Sequence, residues 1–314
     1  MKKPLKELFA EFINECRYSG KMRPETLRGY EACFKLFIKI FPEARLDILT
    51  PEIMTEFFKR LQVRERMVGK NKLVTGIKNS TVATYRNKLN KFFTWLRTKN
   101  YLKKDPFLGV PYPDVSYSDK KYLKKEEVEK IFAALAFGIQ WKSVLIKRRN
   151  LAMFSVLLYC GLRKGELIGL KITDIDLDDM QLTVRAETSK SKRNRIVPLN
   201  SPVIIALKEY LEERRRGHFT TPQLWVSASD DRSFTKDGLK HLMVQVVGAS
   251  GVKFHPHQFR HTFAANIVNG GTDVYRLRLL LGHSDIRMTA AYLRCLPTKS
   301  LQCDVERLDM DNLI

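Results

Sequence analysis

The chain has 314 residues, 44% hydrophobic and 29% charged, which suits a soluble globular protein long enough for two domains. Its longest apolar neighbourhood, AMFSVLLYCGL at 152–162, is too short to cross a bilayer, and no secretion signal follows MKKPLKELF. Lys+Arg outnumber Asp+Glu by 56 to 34, a formal net charge of +22, which makes a polyanion such as nucleic acid the expected partner rather than a membrane.

Five cysteines, an odd number without a CxxC pair, argue for reduced core residues in the cytoplasm and against a disulfide framework or zinc cluster. The basic excess leans to the front of the chain, where residues 1–113 hold 24 basic and 11 acidic side chains.

Residues 1–103 read as a run of helices. In LKELFAEFINEC the positions Leu5, Leu8, Phe9, Phe12, Ile13 and Cys16 repeat at the 3–4 spacing of one buried face, and Gly20 is placed to end the helix. PETLRGYEACFKLFIKIF has Pro24 near its first turn and Pro42 beyond its end, while LTPEIMTEFFKRLQ opens with Thr50 as N-cap and Pro51 in the first turn. A fourth helix, NSTVATYRNKLNKFFTWLRTKN, aligns Val82, Tyr85, Leu89, Phe92 and Leu96, with Arg86, Lys88, Lys91 and Arg97 expected on its outer face.

Between the third and fourth helices, RERMVGKNKLVTGIKN is basic and holds two glycines; it reads either as a DNA-contacting loop or as a mobile connection. Three prolines in DPFLGVPYPDVSYSD, residues 105–119, mark the expected boundary between a helical domain at 1–113 and a second domain at 114–314.

The second domain begins with the helix signal YLKKEEVEKIFAAL, followed by a hydrophobic helix and CGLRKGELIGL. MQLTVRAE and NRIVPLN alternate as strands of a small antiparallel sheet, and helical patterns dominate again from Pro202. The expected fold class is therefore mainly α with a small antiparallel β-sheet in the second domain.

The chemistry-bearing residues are scattered. Arg163 follows a glycine where one helix ends and another begins, a position that suits phosphate binding; Glu166, three residues on, can hold its guanidinium, as it would in an ordinary surface pair. His257 and Arg260 stand one helical turn apart in HPHQFRHTFAAN and can reach one anion. His255, His257 and His261 also form H-x-H-x-x-x-H, but no carboxylate lies among them and Arg260 would oppose a cation, so no metal is expected. Lys190 and Lys192 occupy the turn between the two strands, where a lysine can swing over a substrate to donate a proton, or where charge is merely solvated.

In LLGHSDIRMTAAYLR, His283 and Tyr292 would face apart on one continuous helix. Gly282 ends the leucine run, however, and Ser284 or Asp285 is a plausible N-cap for a further helix, so the chain is expected to turn and fold Tyr292 back near His283.

Together GLRKGEL, Lys190 ahead of RNRIVPL, HQFRHTFA and LGHSDIRMTAAY resemble the tyrosine recombinase (phage integrase) family, in the family's order and across about residues 117–295. Cys160 and Phe259 depart from the family's usual threonine and leucine, both at positions that tolerate apolar side chains. The resemblance implies a four-helix core-binding (SAM-like) domain and an α+β catalytic domain that clamp duplex DNA, with no metal, ATP or other cofactor.

It further implies that Tyr292 attacks the scissile phosphate to leave a 3′-phosphotyrosyl bond. Arg163 and Arg260 would hold the non-bridging oxygens, Lys190 would protonate the departing 5′-oxygen, His257 would assist the tyrosine and His283 would hydrogen-bond a phosphate oxygen. Glu166 would support them. The partners implied are DNA recombination sites and three further protomers in a tetramer on DNA, in the cytoplasm at the nucleoid, with the tail at 297–314 docking on a neighbour. The chain enters its first core-binding helix directly, which leans toward a Xer-like or mobile-element recombinase. Rival readings are a type IB topoisomerase-like relaxase, a DNA-binding regulator with a vestigial site and a metal-dependent nuclease.

Overall fold

The 3–4 apolar spacing of the first hundred residues becomes helices α1 (Leu5–Tyr18), α2 (Pro24–Ile40), α3 (Pro51–Val63) and α4 (Asn79–Thr98) in the computed structural model. The structure describes residues 3–20, 22–69, 72–115, 122–189, 191–227 and 230–293. Lys190 and the tail from 294 onward therefore lie outside the described residues.

Each helix begins and ends for a local reason. Chain exit from α1 runs through Gly20 at φ +62°, a backbone angle that favours glycine. Thr50 Oγ1 accepts the Ile53 amide at the start of α3. The faces that α1–α4 bury meet in an aromatic core, where Phe9 stacks on Phe34 at 3.9 Å and Phe92 stands edge-on to both.

One expectation fails in this unit. Arg86 and Arg97 do not sit on a free outer face of α4: Arg86 donates to the Val110 carbonyl and lies over the rings of Phe107 and Tyr112, and Arg97 pairs with Asp105 at 3.0 Å. The proline-rich stretch they hold packs on the same core, where Phe107 and Val110 are buried. The chain accordingly divides into compact units Met1–Ser118 and Asp119–Ile314, with the division five residues beyond the 113/114 boundary expected from composition. The basic connection between α3 and α4 is a hairpin of β1 (Glu65–Val68) and β2 (Lys72–Thr75).

The second unit starts at α5 (Lys125–Ala133), whose first turn is closed by Glu127 accepting the Lys124 amide. At its centre lies α6 (Val144–Cys160), buried around nearly its whole circumference from Arg149 to Cys160 and packed against α8 (Ser201–Arg216) and α10 (Pro256–Asn269). A helix apolar on all sides has to be a core helix, which is why its sequence lacks an amphipathic stripe. Short helix α7 (Lys164–Ile168) comes next.

The alternating runs form a three-stranded antiparallel sheet of β3 (Ile175–Asp176), β4 (Gln181–Val184) and β5 (Arg195–Pro198), with Val184 opposite Arg195 and Gln181 opposite Pro198. This register turns Leu182 and Val197 into the core and sets Arg195 at the mouth of the β4–β5 loop. Helices α9 (Lys236–Ser250), α11 (Val274–Leu281) and α12 (Arg287–Ala290) complete the described residues. No helix among them is long and apolar enough to cross a membrane.

Candidate active site

Three chain segments, the ends of α6, α10 and α11, converge through one buried guanidinium. α6 stops at Gly161, which adopts φ +59° and passes so close to the ring of Phe263 that an added Cβ would lie 2.4 Å from Cδ1. Only glycine fits both the angle and the space. Its carbonyl is thereby presented to Arg260 Nη1 at 2.7 Å.

Two residues on, Arg163 has extended backbone and starts α7. Its amide donates to Glu166 Oε2 at 2.9 Å and its Nη1 to Oε1 at 2.8 Å. Arg195, from the start of β5, grips the same carboxylate with both terminal nitrogens, at 3.2 and 2.7 Å, and donates through Nε to the Leu280 carbonyl at the end of α11. Glu166 is thus the shared counter-charge of two guanidinium groups and is 1% exposed. Burial by itself would raise its carboxyl pKa. Hydrogen bonds and charge from Arg195, joined by those of Arg163, outweigh burial and hold it down at about 2.

Arg260 comes from the buried side of α10. Besides Gly161 it donates through Nη2 to the Leu281 carbonyl at 2.6 Å and to His283 Nε2 at 3.0 Å. A guanidinium can only donate, so Nε2 of His283 accepts and the imidazole proton sits on Nδ1, 2.8 Å from Thr289 Oγ1, which takes it. Burial, followed by repulsion from Arg163, pushes the Arg260 pKa down to about 9, with Glu166 opposing. Three arginines face a single carboxylate here, and the surplus positive charge suits an incoming anion.

The turn expected between His283 and Tyr292 is present. α11 ends at Gly282 in the left-handed conformation, and Asp285 accepts the Arg287 amide at 2.9 Å at the start of α12. Asp285 acts from one residue before the formal cap, Ile286, and Ser284 does not cap the helix. The bend buries Tyr292 to 2% exposure among Phe263, Ala264, Val268, Leu277 and Leu281. Its hydroxyl lies 2.7 Å from Nδ1 of His261, and its oxygen is near enough to favour the Arg260 charge.

The structure thus gathers Arg163, Glu166, Arg260, His283 and Tyr292 in one neighbourhood. His257 is exposed in the first turn of α10, one turn before Arg260. Lys190 lies outside the described residues. Sequence reasoning did not assign roles to Arg195, His261 or Thr289. His261 carried a usable signal, since it falls four residues after His257 on the same helix face; Arg195 did not, because nothing local distinguishes it from a solvated charge in KRNR.

Residues 121–298 match the phage integrase family. The chain is 31% identical to the tyrosine recombinase XerD of Proteus mirabilis over 233 residues, covering 70% of each chain. It is 26% identical to XerC of Chlorobaculum parvum over 90% of this chain and 88% of that one. Among solved structures, the fold is similar to the Tn1549 transposon integrase in complex with transposon right end DNA, at TM-score 0.74 and 19% identity, covering 98% of this chain and 99% of that chain. On the family match and the relative 31% identical over 70% of each chain, the chain belongs to the phage integrase family and is a tyrosine site-specific recombinase.

Proposed function

We propose that this cluster receives one phosphodiester of a DNA recombination site and exchanges its sugar oxygen for the Tyr292 phenol. Arg163 and Arg260 hold the two non-bridging oxygens. The Tyr292 oxygen bonds to phosphorus while the 5′-oxygen leaves and takes a proton from Lys190, giving a 3′-phosphotyrosyl bond and a free 5′-hydroxyl. His257 assists removal of the tyrosine proton. His283 hydrogen-bonds the phosphate, and for this it must shift its proton from Nδ1 to Nε2 when the phosphate takes the place of Arg260 as its partner. Tyr292 exchanges its bond to His261 for the line of attack. Because the phosphotyrosyl bond conserves the energy of the phosphodiester, a 5′-hydroxyl from another strand reverses the step without ATP.

What supports this reading is Arg260 above all. It is buried, carries surplus charge and links the Gly161 turn, the Leu281 carbonyl and His283. Structures whose names include bound DNA, such as the lambda integrase dimer bound to a COC′ core site, support DNA recombination sites as the substrate. The test uses a duplex recovered by selection on the immobilised protein and nicked next to each candidate crossover position. The protein becomes covalently attached to the 3′ side in EDTA and without nucleotide. Attachment that requires a divalent cation, or cleavage that leaves no attachment, contradicts the proposal.

Four protomers assemble on a pair of sites, and residues 297–314 supply the link to a neighbour. Removing 297–314 leaves binding of one protomer within about twofold and eliminates the four-protomer complex, read by native gel with a single and a paired site. Intact assembly of the truncated chain overturns this role for the tail.

A further inference from the structure

The described residues of the β1–β2 hairpin place no side chain in the core of their unit. Among its described side chains none is buried, although Leu61 before it and Val82 after it are. A two-stranded ribbon is barely stable alone. Its root is nonetheless built with care. The Gly76 amide donates to the Arg64 carbonyl at 2.8 Å, Arg66 Nε donates to the Gly76 carbonyl at 3.2 Å, and Gly76 adopts φ +72°. A Cβ on Gly76 would lie 2.3 Å from the Gln62 carbonyl oxygen, so the close approach at the root requires glycine. The ribbon is therefore aimed in a set direction from the end of α3.

The register places Met67 directly opposite Leu73 and Arg66 opposite Val74. Since side chains alternate across a strand, Met67 and Leu73 share one face with Glu65 and Thr75, and Arg66 and Val74 share the other. The second face turns toward the root, where Arg66 is bonded and Val74 is half-buried. The first faces outward and holds two large apolar side chains, Met67 at 61% and Leu73 at 58% exposure. Residues 64–78 contain five basic side chains and one acidic.

We infer that this hairpin enters the major groove of the duplex, with the Met67–Leu73 face against base edges and the exposed Arg64 and Lys78 at its root along the phosphates. The inference rests on the DNA-recombinase reading and adds a contact outside the cleavage site. A major groove admits a two-stranded ribbon, and apolar side chains there discriminate thymine by its methyl group. Charge favours the occupant: a chain at +22, with five basic side chains to one acidic around the ribbon, attracts a polyanion.

The test compares the whole chain with Met67→Ser/Leu73→Ser, which alters only exposed side chains, on the selected duplex and on random duplex. The double variant binds the selected duplex about tenfold more weakly and random duplex within about twofold, and it loses protection of guanine N7 from methylation over roughly three base pairs at one flank. An unchanged affinity and methylation pattern overturns the inference. So does a variant that binds and protects like the parent yet fails to assemble, because the ribbon is then a protein contact. Failure of the parent to attach covalently to a nicked duplex sinks the recombinase reading, while the methylation pattern still decides the fate of the hairpin.

Discussion

Replacing Arg260 by alanine slows covalent attachment to a nicked duplex by about a hundred- to a thousandfold at saturating DNA, corresponding to roughly 3–4 kcal/mol of transition-state stabilisation. The guanidinium is fixed before DNA arrives, by the carbonyls of Gly161 and Leu281, so it has little reorganisation left when charge develops on phosphorus. Arg260→Lys keeps the charge but has one nitrogen to serve two carbonyls and His283, and it recovers only a small part of the rate. Binding to the duplex falls much less than cleavage in both variants, because many other basic side chains contribute to affinity. A single-turnover rate within tenfold of the parent, in a variant shown to be folded, contradicts this role.

The second large effect is on stability. Glu166→Ala leaves Arg163 and Arg195 buried or half-buried without the carboxylate they share, and costs about 3–5 kcal/mol of unfolding free energy. Glu166→Gln keeps the shape and loses the charge, which isolates the electrostatic part. A folded pKa of about 2 against an ordinary value of 4.5 corresponds to roughly 3 kcal/mol near neutral pH. The sign comes from the lowered value: the contribution is complete above about pH 5 and is lost as pH falls through 4.5 toward 2. Urea denaturation of parent and Glu166→Gln at pH 7 and pH 3 therefore gives a gap in midpoint that narrows on acidification. A gap that stays constant or widens shows that Glu166 does not hold the two arginines through its charge.

Much of this molecule was legible in the sequence because burial leaves a period. The 3–4 repeats gave α1–α4, and the continuous apolar stretch before Cys160 gave the central helix α6. Gly161 and Gly282 marked turns that need left-handed backbone, and both lie at the site. The β1–β2 hairpin left no such period, because its described side chains are not buried on either face. Arg86 and Arg97 read as surface charges, whereas the Arg86 guanidinium lies over the Phe107 ring and Arg97 pairs with Asp105, which a helical wheel cannot foresee.

Within the site, the residues that bear on phosphate were visible as motifs, whereas those that hold them were not. Arg195 reaches Glu166 across 29 positions, and His261 reaches Tyr292 across 31. Neither distance is encoded locally; both depend on how β5 and α12 dock. Thr289 shows the same point on a smaller scale, since its hydroxyl reaches Nδ1 of His283 only after the chain has bent at Gly282.

The central claim is that the phenol buried beside His261 becomes the atom joined to DNA. Proteolysis of the covalent adduct formed on a nicked duplex, combined with mass spectrometry of the nucleotide-bearing peptide, identifies that atom directly. Attachment falls on Tyr292, within the peptide that ends at Arg294, and Tyr292→Phe binds the duplex with parental affinity but forms no adduct. Nucleotide mass on any other residue, or an adduct that persists in Tyr292→Phe, contradicts the account.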